Sequence, residues 1–236
     1  MPLSRMRKTL LELGTANGLL YLLGRALQRM TGGRAFIVRY HFVAQPVPSA
    51  PTQHTRPSVS ARVRQIMAND AIVEVFPRPA AVIKQRFQNG NICFVAENNG
   101  RFAGFLWLAR DAYEEDEIRC RYELSQAATC AWDFDVYVAP EYRIGRTFAR
   151  LWDAANEHLS QAGVHWSLSR ISAFNRASIS AHRRLGIRKL CSATFLTLGP
   201  LQISFLPGQM RIHLRSRPVI RLSAPPPGTP GFPNAA

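Results

Sequence analysis

The sequence predicts a mixed α/β fold in which a largely antiparallel sheet is flanked by helices. Hairpin signals fill the first half, most clearly in "NICFVAE" (91–97) and "RFAGFLWLA" (101–109), which an Asn-Gly turn joins. The second half alternates strand and helix patterns in the order β-α-β-α-β. Hydrophobic residues make up 47% of the 236 residues, so the chain is able to bury a sizeable core.

The other elements follow from periodicity and from turn-forming residues. Leucines along residues 3–31 predict one or two amphipathic helices, broken near Gly14–Gly18. The strands expected at 117–125 and 131–138 are predicted to form a pair. The remaining predicted elements are strands at 34–47, 165–172 and 188–198, helices at 79–89 and 176–185, and a long helix that follows Arg146.

These elements group into three parts along the chain. A basic amphipathic helical extension covers residues 1–33, and one domain covers residues 34–222. The domain includes a Pro-rich connection at 46–60, which sustains neither regular element. The proline-rich end of the chain, residues 223–236, predicts a disordered tail.

The net charge of +15 is distributed unevenly. Residues 1–64 carry ten Lys or Arg against one acid, Glu12, and no Asp or Glu follows Glu157. This polarity predicts an anionic partner: an acidic carrier protein, an anionic membrane surface or a phosphorylated cofactor. Nucleic acid is not the expected partner, because no RNP, zinc-finger or helix-turn-helix pattern accompanies the charge.

Cysteine spacing and hydropathy indicate a cytoplasmic protein. The four cysteines are scattered without metal-ligand spacing, which predicts no metal site and fits a reducing compartment. No apolar run is long enough to cross a membrane, and no signal peptide is evident. The leucine face of the N-terminal helices either packs on the protein itself or attaches the protein to the inner face of the membrane.

The stretch "PEYRIGRTFARLWDAANEHL" (140–159) places a basic, glycine-containing turn before an amphipathic helix. Free N–H groups at a helix start, with guanidinium groups nearby, predict a phosphate site around Arg143, Gly145 and Arg146. An ordinary surface helix with arginine at its start is the alternative. About thirty residues past the turn lies a second motif, "FNRASISAHRRLGIRKL" (174–190).

Together the two motifs resemble the GNAT acyltransferase superfamily, whose members move an acyl group from coenzyme A or a related thioester. The second motif of that family reads Asn-x-x-(small)-x-x-x-Tyr-x-x-x-Gly-(aromatic). Here Asn175, Ser178 and Gly186 occupy the corresponding positions, Ile187 follows, and His182 stands in place of the tyrosine. The resemblance covers roughly residues 60 to 200.

The first motif departs from the family pattern Arg/Gln-x-x-Gly-x-Gly/Ala. Aligned on Arg143, the glycine positions hold Arg146 and Phe148; aligned on Gly145, Tyr142 replaces the arginine. At least one small residue is lost either way, and Arg143 and Arg146 would compensate through contacts with phosphate oxygens. The same departure permits a donor that presents a single phosphate, such as the phosphopantetheine arm of an acyl carrier protein.

The resemblance implies an acyl-donor site made of the strand end, the turn and the second motif. It implies acetyl-CoA or another acyl-CoA as cofactor, with an acyl carrier protein thioester as the alternative donor. The implied cofactor-binding residues are Val136, Val138, Arg143, Ile144, Gly145, Arg146, Thr147, Phe148, Asn175 and Ser178.

Three residues are candidates for proton transfer. His182 stands where the family's tyrosine returns a proton to the departing thiol, and the alternative is a structural histidine. In "AWDFDVYV" (131–138), a period of two places Asp133, Asp135 and Tyr137 on one face of a strand. Asp135, and Asp133 second, are the candidate bases, unless both form structural salt bridges to arginines. The acidic run 114–117 predicts a solvated loop or a lip that attracts a cationic amine.

These observations predict an N-acyltransferase that moves an acetyl or other acyl group to an amine of a small-molecule acceptor. The basic ends favour a first alternative, a long-chain N-acyltransferase that uses acyl carrier protein at the membrane surface. The altered glycine positions favour a second alternative, a GNAT-like domain that binds a partner without catalysis.

Overall fold

The structure is a computed structural model that describes residues 3–49, 58–115, 117–226 and 228–232. Most of the predicted connection 46–60, and residues 227 and 233–236 of the predicted tail, lie outside these ranges. Among the helices it describes, none is long and apolar enough to cross a membrane.

The described elements follow the predicted order closely. The helices are α1 (Leu3–Leu13), α2 (Thr15–Met30), α3 (Ala80–Gln88), α4 (Thr147–Gln161) and α5 (Arg176–Arg183). The strands are β1 (Ala35–Pro46), β2 (Ala61–Ile66), β3 (Ile92–Asn98), β4 (Arg101–Ala109), β5 (Ala112–Glu114), β6 (Arg121–Leu124), β7 (Cys130–Val138), β8 (Trp166–Ser172), β9 (Arg188–Leu198), β10 (Leu201–Leu206), β11 (Gln209–Leu214) and β12 (Val219–Leu222). The mixed α/β class with antiparallel strand pairs and an N-terminal helical segment is therefore confirmed.

The chain divides into two compact units, and the first comprises Met1–Gln45, Tyr113–Glu123 and Leu168–Ala236. Its strands follow the order β11-β10-β9-β1-β8, so β1 lies between two strands from the far end of the chain. β1 and β9 pair antiparallel, and the pairing buries Tyr40, Phe42 and Phe195. A small second sheet has the order β12-β6-β5.

The N-terminal helices belong to the first unit. The predicted break falls at Gly14, whose φ of 76° is a left-handed conformation that glycine adopts easily. On α2, Gly24 packs against Ile37 of β1, and the Tyr21 ring lies 5.4 Å from that of Phe174. Packing on the protein's own body, one of the two interpretations of these helices, is therefore observed for one side of α2.

The second unit, Pro46–Ala112 and Leu124–Ser167, has the strand order β7-β4-β3-β2. The hairpin between β3 and β4 is confirmed, because Asn99 and Gly100 both have positive φ, at 49° and 75°. Helices cover both faces of the sheet. The Phe87 ring of α3 packs on Trp107, while His158 of α4 packs on Phe94, which lies on the other face.

The predicted pairing of the strands at 117–125 and 131–138 is wrong. β6 joins the small sheet of the first unit, whereas β7 pairs antiparallel with β4 in the second. Sequence neighbours frequently pair, but β7 is apolar enough to be buried beside β4, and β6 alternates buried and exposed residues as a covering strand does.

The backbones of β4 and β7 approach closely at Gly104. A Cβ at this position would overlap the carbonyl oxygen of Tyr137 and lie 3.2 Å from the Cα of Val138. Neither obstacle is the flexible end of a side chain, so the strand itself would have to shift. Glycine at 104 is therefore required by the pairing of β4 with β7.

We expect Gly104→Ala to lower the free energy of unfolding by about 1–3 kcal/mol, because it overpacks this pairing. Gly145→Ala is the matched control: its Cβ would meet only the Tyr142 oxygen, at an ordinary 3.6 Å. Urea unfolding of both variants, followed by circular dichroism, measures the difference. Equal stability of the two variants would contradict the close approach.

Candidate active site

β7 carries a β-bulge at Asp135, which interrupts the predicted alternation. Phe134 pairs with Trp107 and Tyr137 pairs with Phe105, so two residues of β7 lie opposite one residue of β4. Phe134 and Tyr137 therefore share a face, whereas the predicted period of two places Tyr137 with Asp133 and Asp135 and Phe134 on the opposite face, which is wrong. Asp135 itself has a φ of 47°, unusual for a residue other than glycine.

The bulge also marks a change in burial along the strand. Residues 130–134 are buried, whereas residues 135–138 are only half-buried. The extra residue of a bulge leaves backbone groups outside the hydrogen-bond ladder. The second half of β7, which includes Val136 and Val138, thus offers partly accessible backbone groups.

Two arginines hold the Asp135 carboxylate. Arg78 donates to both of its oxygens, with Nε 2.8 Å from Oδ2, and Arg86 Nη1 donates to Oδ2 at 2.6 Å. Asp135 is 13% exposed and Arg86 8%. The same guanidinium groups lie over aromatic rings of β4 and β7, Arg78 over Phe105 and Tyr137, and Arg86 over Trp107 and Phe134.

These contacts give Asp135 a structural function: its charge is matched by two fixed cations, and its strained backbone is fixed through its side chain. Asp133 is more deeply buried, at 3% exposure, and accepts a hydrogen bond of 2.6 Å from the Ser167 hydroxyl. The salt bridges to arginines that the sequence left open as the alternative are present at Asp135, whereas Asp133 is hydrogen-bonded to a serine. The roles of both residues as bases stay predictions.

The basic turn lies on the protein surface immediately before α4. Arg143, Ile144, Gly145 and Arg146 are all exposed, and α4 begins at Thr147. Arg146 is the N-cap residue and makes no side-chain capping bond, and the first i→i−4 bond of α4 runs from the Arg150 amide to the Arg146 carbonyl. The amides of residues 147–149 precede that bond, so helix geometry gives them no acceptor within α4.

This turn fits a phosphate group. The fold does not require glycine at 145, because a Cβ there would meet a single atom at van der Waals distance. The exposed position therefore leaves space for a ligand beside the backbone. Arg143 fixes the turn by donating from Nε to the Val138 carbonyl at 3.1 Å, which leaves its terminal nitrogens available toward solvent. Helix amides and two guanidinium groups form a suitable donor set for phosphate.

The Asn175 motif forms the start of α5 in the first unit. Asn175 is the N-cap residue, and its Oδ1 accepts a hydrogen bond of 3.0 Å from the Ser178 amide. This bond explains the asparagine and the three-residue spacing by local helix chemistry. Whether Asn175 and Ser178 also contact a cofactor stays a prediction.

His182 is buried on α5, and its tautomer follows from its partner. Nδ1 lies 2.8 Å from the Ser178 carbonyl oxygen, which only accepts, so Nδ1 carries the proton. Burial lowers the pKa of His182 below its ordinary value, and the bond to Ser178 offsets part of that effect. His182 is therefore neutral at pH 7, with Nε2 unprotonated. The expected proton donation by an imidazolium does not fit this state.

The acidic run does not form a solvated lip at Glu115. This residue is 1% exposed and accepts hydrogen bonds from Arg170 Nε and Nη2 at 2.8 and 2.5 Å. Glu117 accepts a hydrogen bond from the Tyr40 hydroxyl, and burial raises the pKa of Tyr40 far above its ordinary value. Sequence reasoning missed these pairs, because the partners are distant in the chain. The prediction of a solvated loop or lip is wrong for Glu115.

Comparison with known proteins assigns the family. The sequence profile of the acetyltransferase (GNAT) family matches residues 61–187, more than half of the chain. The protein therefore belongs to this family of acetyltransferases, as the two motifs predicted. No curated protein sequence matches it.

Solved structures show similar folds at low identity. A Drosophila protein is 11% identical with a TM-score of 0.49, over 74% of this chain and 56% of its own. A protein of Novosphingobium aromaticivorans, assigned to the GNAT acetyltransferases, is 17% identical with a TM-score of 0.46, over 68% and 63%. The Salmonella typhimurium protein yncA, solved with acetyl-CoA, is 18% identical with a TM-score of 0.37, over 54% and 79%. The chain thus spans less than two thirds of the first two structures, and these values support no conclusion about substrate.

We expect Asp135→Asn to lower the free energy of unfolding by about 3 kcal/mol, because it removes the carboxylate that pairs with the buried Arg86 guanidinium. Glu141→Gln, which removes an exposed carboxylate from the same unit, serves as the control. Chemical denaturation measures both variants. An Asp135→Asn variant that keeps wild-type stability but loses turnover would restore the role of base predicted from the sequence.

Proposed function

We propose that the protein is an N-acyltransferase that moves an acetyl or other acyl group from an acyl-CoA to an amine of a small molecule. Membership of the acetyltransferase family supports the reaction class. The observation that carries the donor assignment is the exposed basic turn at residues 143–146, which lies immediately before the first turn of α4. Such a turn suits the phosphates of coenzyme A.

Each part of the chain has a separate task in this proposal. Arg143, Arg146 and the first amides of α4 hold the phosphates, and exposed Ile144 and the open space at Gly145 permit close approach. The backbone around Val136 and Val138 binds the rest of the donor. When bound, the donor supplies an activated acyl carbon. Backbone N–H groups released by the bulge at Asp135 would stabilise negative charge on the carbonyl oxygen.

His182 operates as a neutral imidazole in this proposal. With its proton on Nδ1, it is suited to accept a proton and not to donate one at pH 7. The proton that the departing thiolate needs would then come from water or from the protonated His182 that has just accepted one. Asp135 and Asp133 maintain the strand.

Acyl carrier protein is the second candidate donor. The specific observation in its favour is that arginine and phenylalanine, at 146 and 148, occupy positions where the family pattern has small residues. A donor with one phosphate needs fewer close backbone contacts than one with a pyrophosphate. Calorimetric titration with coenzyme A and with phosphopantetheinylated carrier protein separates the two donors. Binding of either one without turnover of any amine would favour the non-catalytic alternative.

We expect the Arg146→Ala variant to bind coenzyme A more weakly by about 1.5–3 kcal/mol for each charged hydrogen bond lost. Arg146→Ala is more informative than Arg143→Ala, because Arg143 also ties the turn to Val138. Arg101→Ala, which removes an exposed arginine from β4 of the same unit, is the control. Isothermal titration calorimetry measures the affinities. An unchanged affinity would remove the turn from the donor site.

We expect His182→Phe to lower kcat roughly 10²-fold, the lower end for general acid-base catalysis, with little effect on donor binding. Because burial lowers the pKa of His182, the wild-type kcat should fall with decreasing pH only below the range in which an ordinary histidine titrates, as the imidazole becomes protonated. His158→Phe, at a half-buried histidine of α4, controls for lost packing. Wild-type turnover in the His182→Phe variant, when chemistry limits the rate, would make His182 a structural residue.

A further inference from the structure

The strand β10 buries its polar side chains and leaves its apolar ones half-buried or exposed. Gln202 and Ser204 are 0% and 1% exposed, whereas Phe205 on the opposite face is 45% exposed. Gln202 exchanges two hydrogen bonds with the backbone of Arg119, both 2.9 Å long. The polar face is therefore the inner one, and the apolar face is directed away from the small sheet. This arrangement is the reverse of an ordinary half-buried strand.

The neighbouring strands extend this apolar face. Ile203 pairs with Leu196 on one side and with Ile212 on the other, so the three side chains share a face. Exposure is greatest on β11, where Met210, Ile212 and Leu214 are 60%, 60% and 67% exposed. We call the residues of this surface the apolar face: Leu196, Leu198, Leu201, Ile203, Phe205, Met210, Ile212 and Leu214.

Helix α2 borders the apolar face. Gly24 packs on Ile37, and Ile37 pairs with Leu196 of the apolar face. Tyr21 is directed toward Phe174, which follows β8. Helical periodicity places Leu23 and Met30 on the flank opposite Tyr21, that is, on the side of β9. Both are exposed, at 53% and 84%, and Leu19 on the same flank is 61% exposed.

The charges around this surface are basic. Helices α1 and α2 carry five cations, Arg5, Arg7, Lys8, Arg25 and Arg29, against the single acid Glu12, which lies 3.8 Å from Lys8. Residues 188–214, which form β9 to β11, contain no acid. In the small-sheet region, Glu115 pairs with Arg170 and Glu114 with Arg217. A second copy of this chain, with its own +15 charge, would be repelled.

The exposed apolar side chains extend over more than one element. Leu11 of α1, at 76% exposed, adds to those of α2 and β11. A single partner helix would fill a groove beside α2, but it would not cover side chains on three elements. A bilayer surface accepts a broad apolar area with cations at its margin, and it attracts each cation when its lipids are anionic.

We propose that α1, α2 and the apolar face bind peripherally to an anionic phospholipid surface. The inference is independent of the proposed acyl transfer, because it rests on surface chemistry in the first unit and its test measures no activity. Leucine and methionine side chains would enter the interfacial region, and Arg25 and Arg29 would contact lipid phosphates. A donor or acceptor with a long acyl chain would then be available to the enzyme at that surface.

The test is flotation of the full chain with vesicles of phosphatidylcholine alone or of phosphatidylcholine with 30 mol% phosphatidylglycerol. We expect binding to the anionic vesicles that weakens with salt, and little binding to the neutral ones. Leu19→Ser with Leu23→Ser, and separately Met210→Ser with Ile212→Ser, should each lower the partition coefficient about 10-fold. Arg25→Gln with Arg29→Gln should lower it about 30-fold.

Met67→Ser with Val75→Ser is the matched control, because these exposed apolar side chains, at 67% and 59%, belong to the second unit. It should bind vesicles as the wild type does. Equal binding to both vesicle types, or serine variants that bind as well as the control, would overturn the proposal. A dimer in analytical ultracentrifugation that the serine substitutions dissociate would also overturn it. So would an acidic carrier protein that binds the apolar face without displacing the vesicles from the protein.

Discussion

The bulge of β7 at Asp135 is the constraint on which the second unit depends. A left-handed residue within a strand is strained, and here two guanidinium groups hold its carboxylate in place. Further along β7, the partner strand tolerates the close approach of Tyr137 and Val138 because Gly104 has no side chain. The same irregularity releases backbone groups from the ladder and opens the second half of β7. One inserted residue thus accounts both for the packing around Asp135 and for the accessible backbone groups of β7.

Much of the fold could be read from local signals. The Asn-Gly turn, the leucine spacing of the N-terminal helices and the Asn175 motif are short-range patterns, and each produced the element predicted. The bulge could not be predicted, because its determinants lie far apart: Arg78 and Arg86 are 57 and 49 residues from Asp135. The strict alternation of "AWDFDVYV" even suggested a regular strand. The burial of Glu115 could not be predicted for the same reason, since its partner Arg170 lies 55 residues further along the chain.

The candidate site, too, could be predicted from the sequence only in part. Sequence spacing identified the basic turn and His182 as candidate site residues, and their function stays a prediction. The protonation state of His182 depended on burial and on the Ser178 carbonyl, neither of which a sequence reveals. The burial of the polar side chains of β10 could not be predicted either, because alternation alone does not show which face of a strand is buried.

The position of β1 has a consequence for how the chain folds during synthesis. His41 of β1 bonds Ser192 of β9, its partner 151 residues later, so β1 cannot complete its pairing until β9 has been synthesised. By contrast, the strands of the second unit are all made before residue 139. On the ribosome the second unit can therefore fold while β1 and its exposed aromatic residues remain without their partners. Because strand partners in the first unit are far apart in the sequence, this unit is the slow step in folding. Its strand β1 is then the segment that most needs a chaperone.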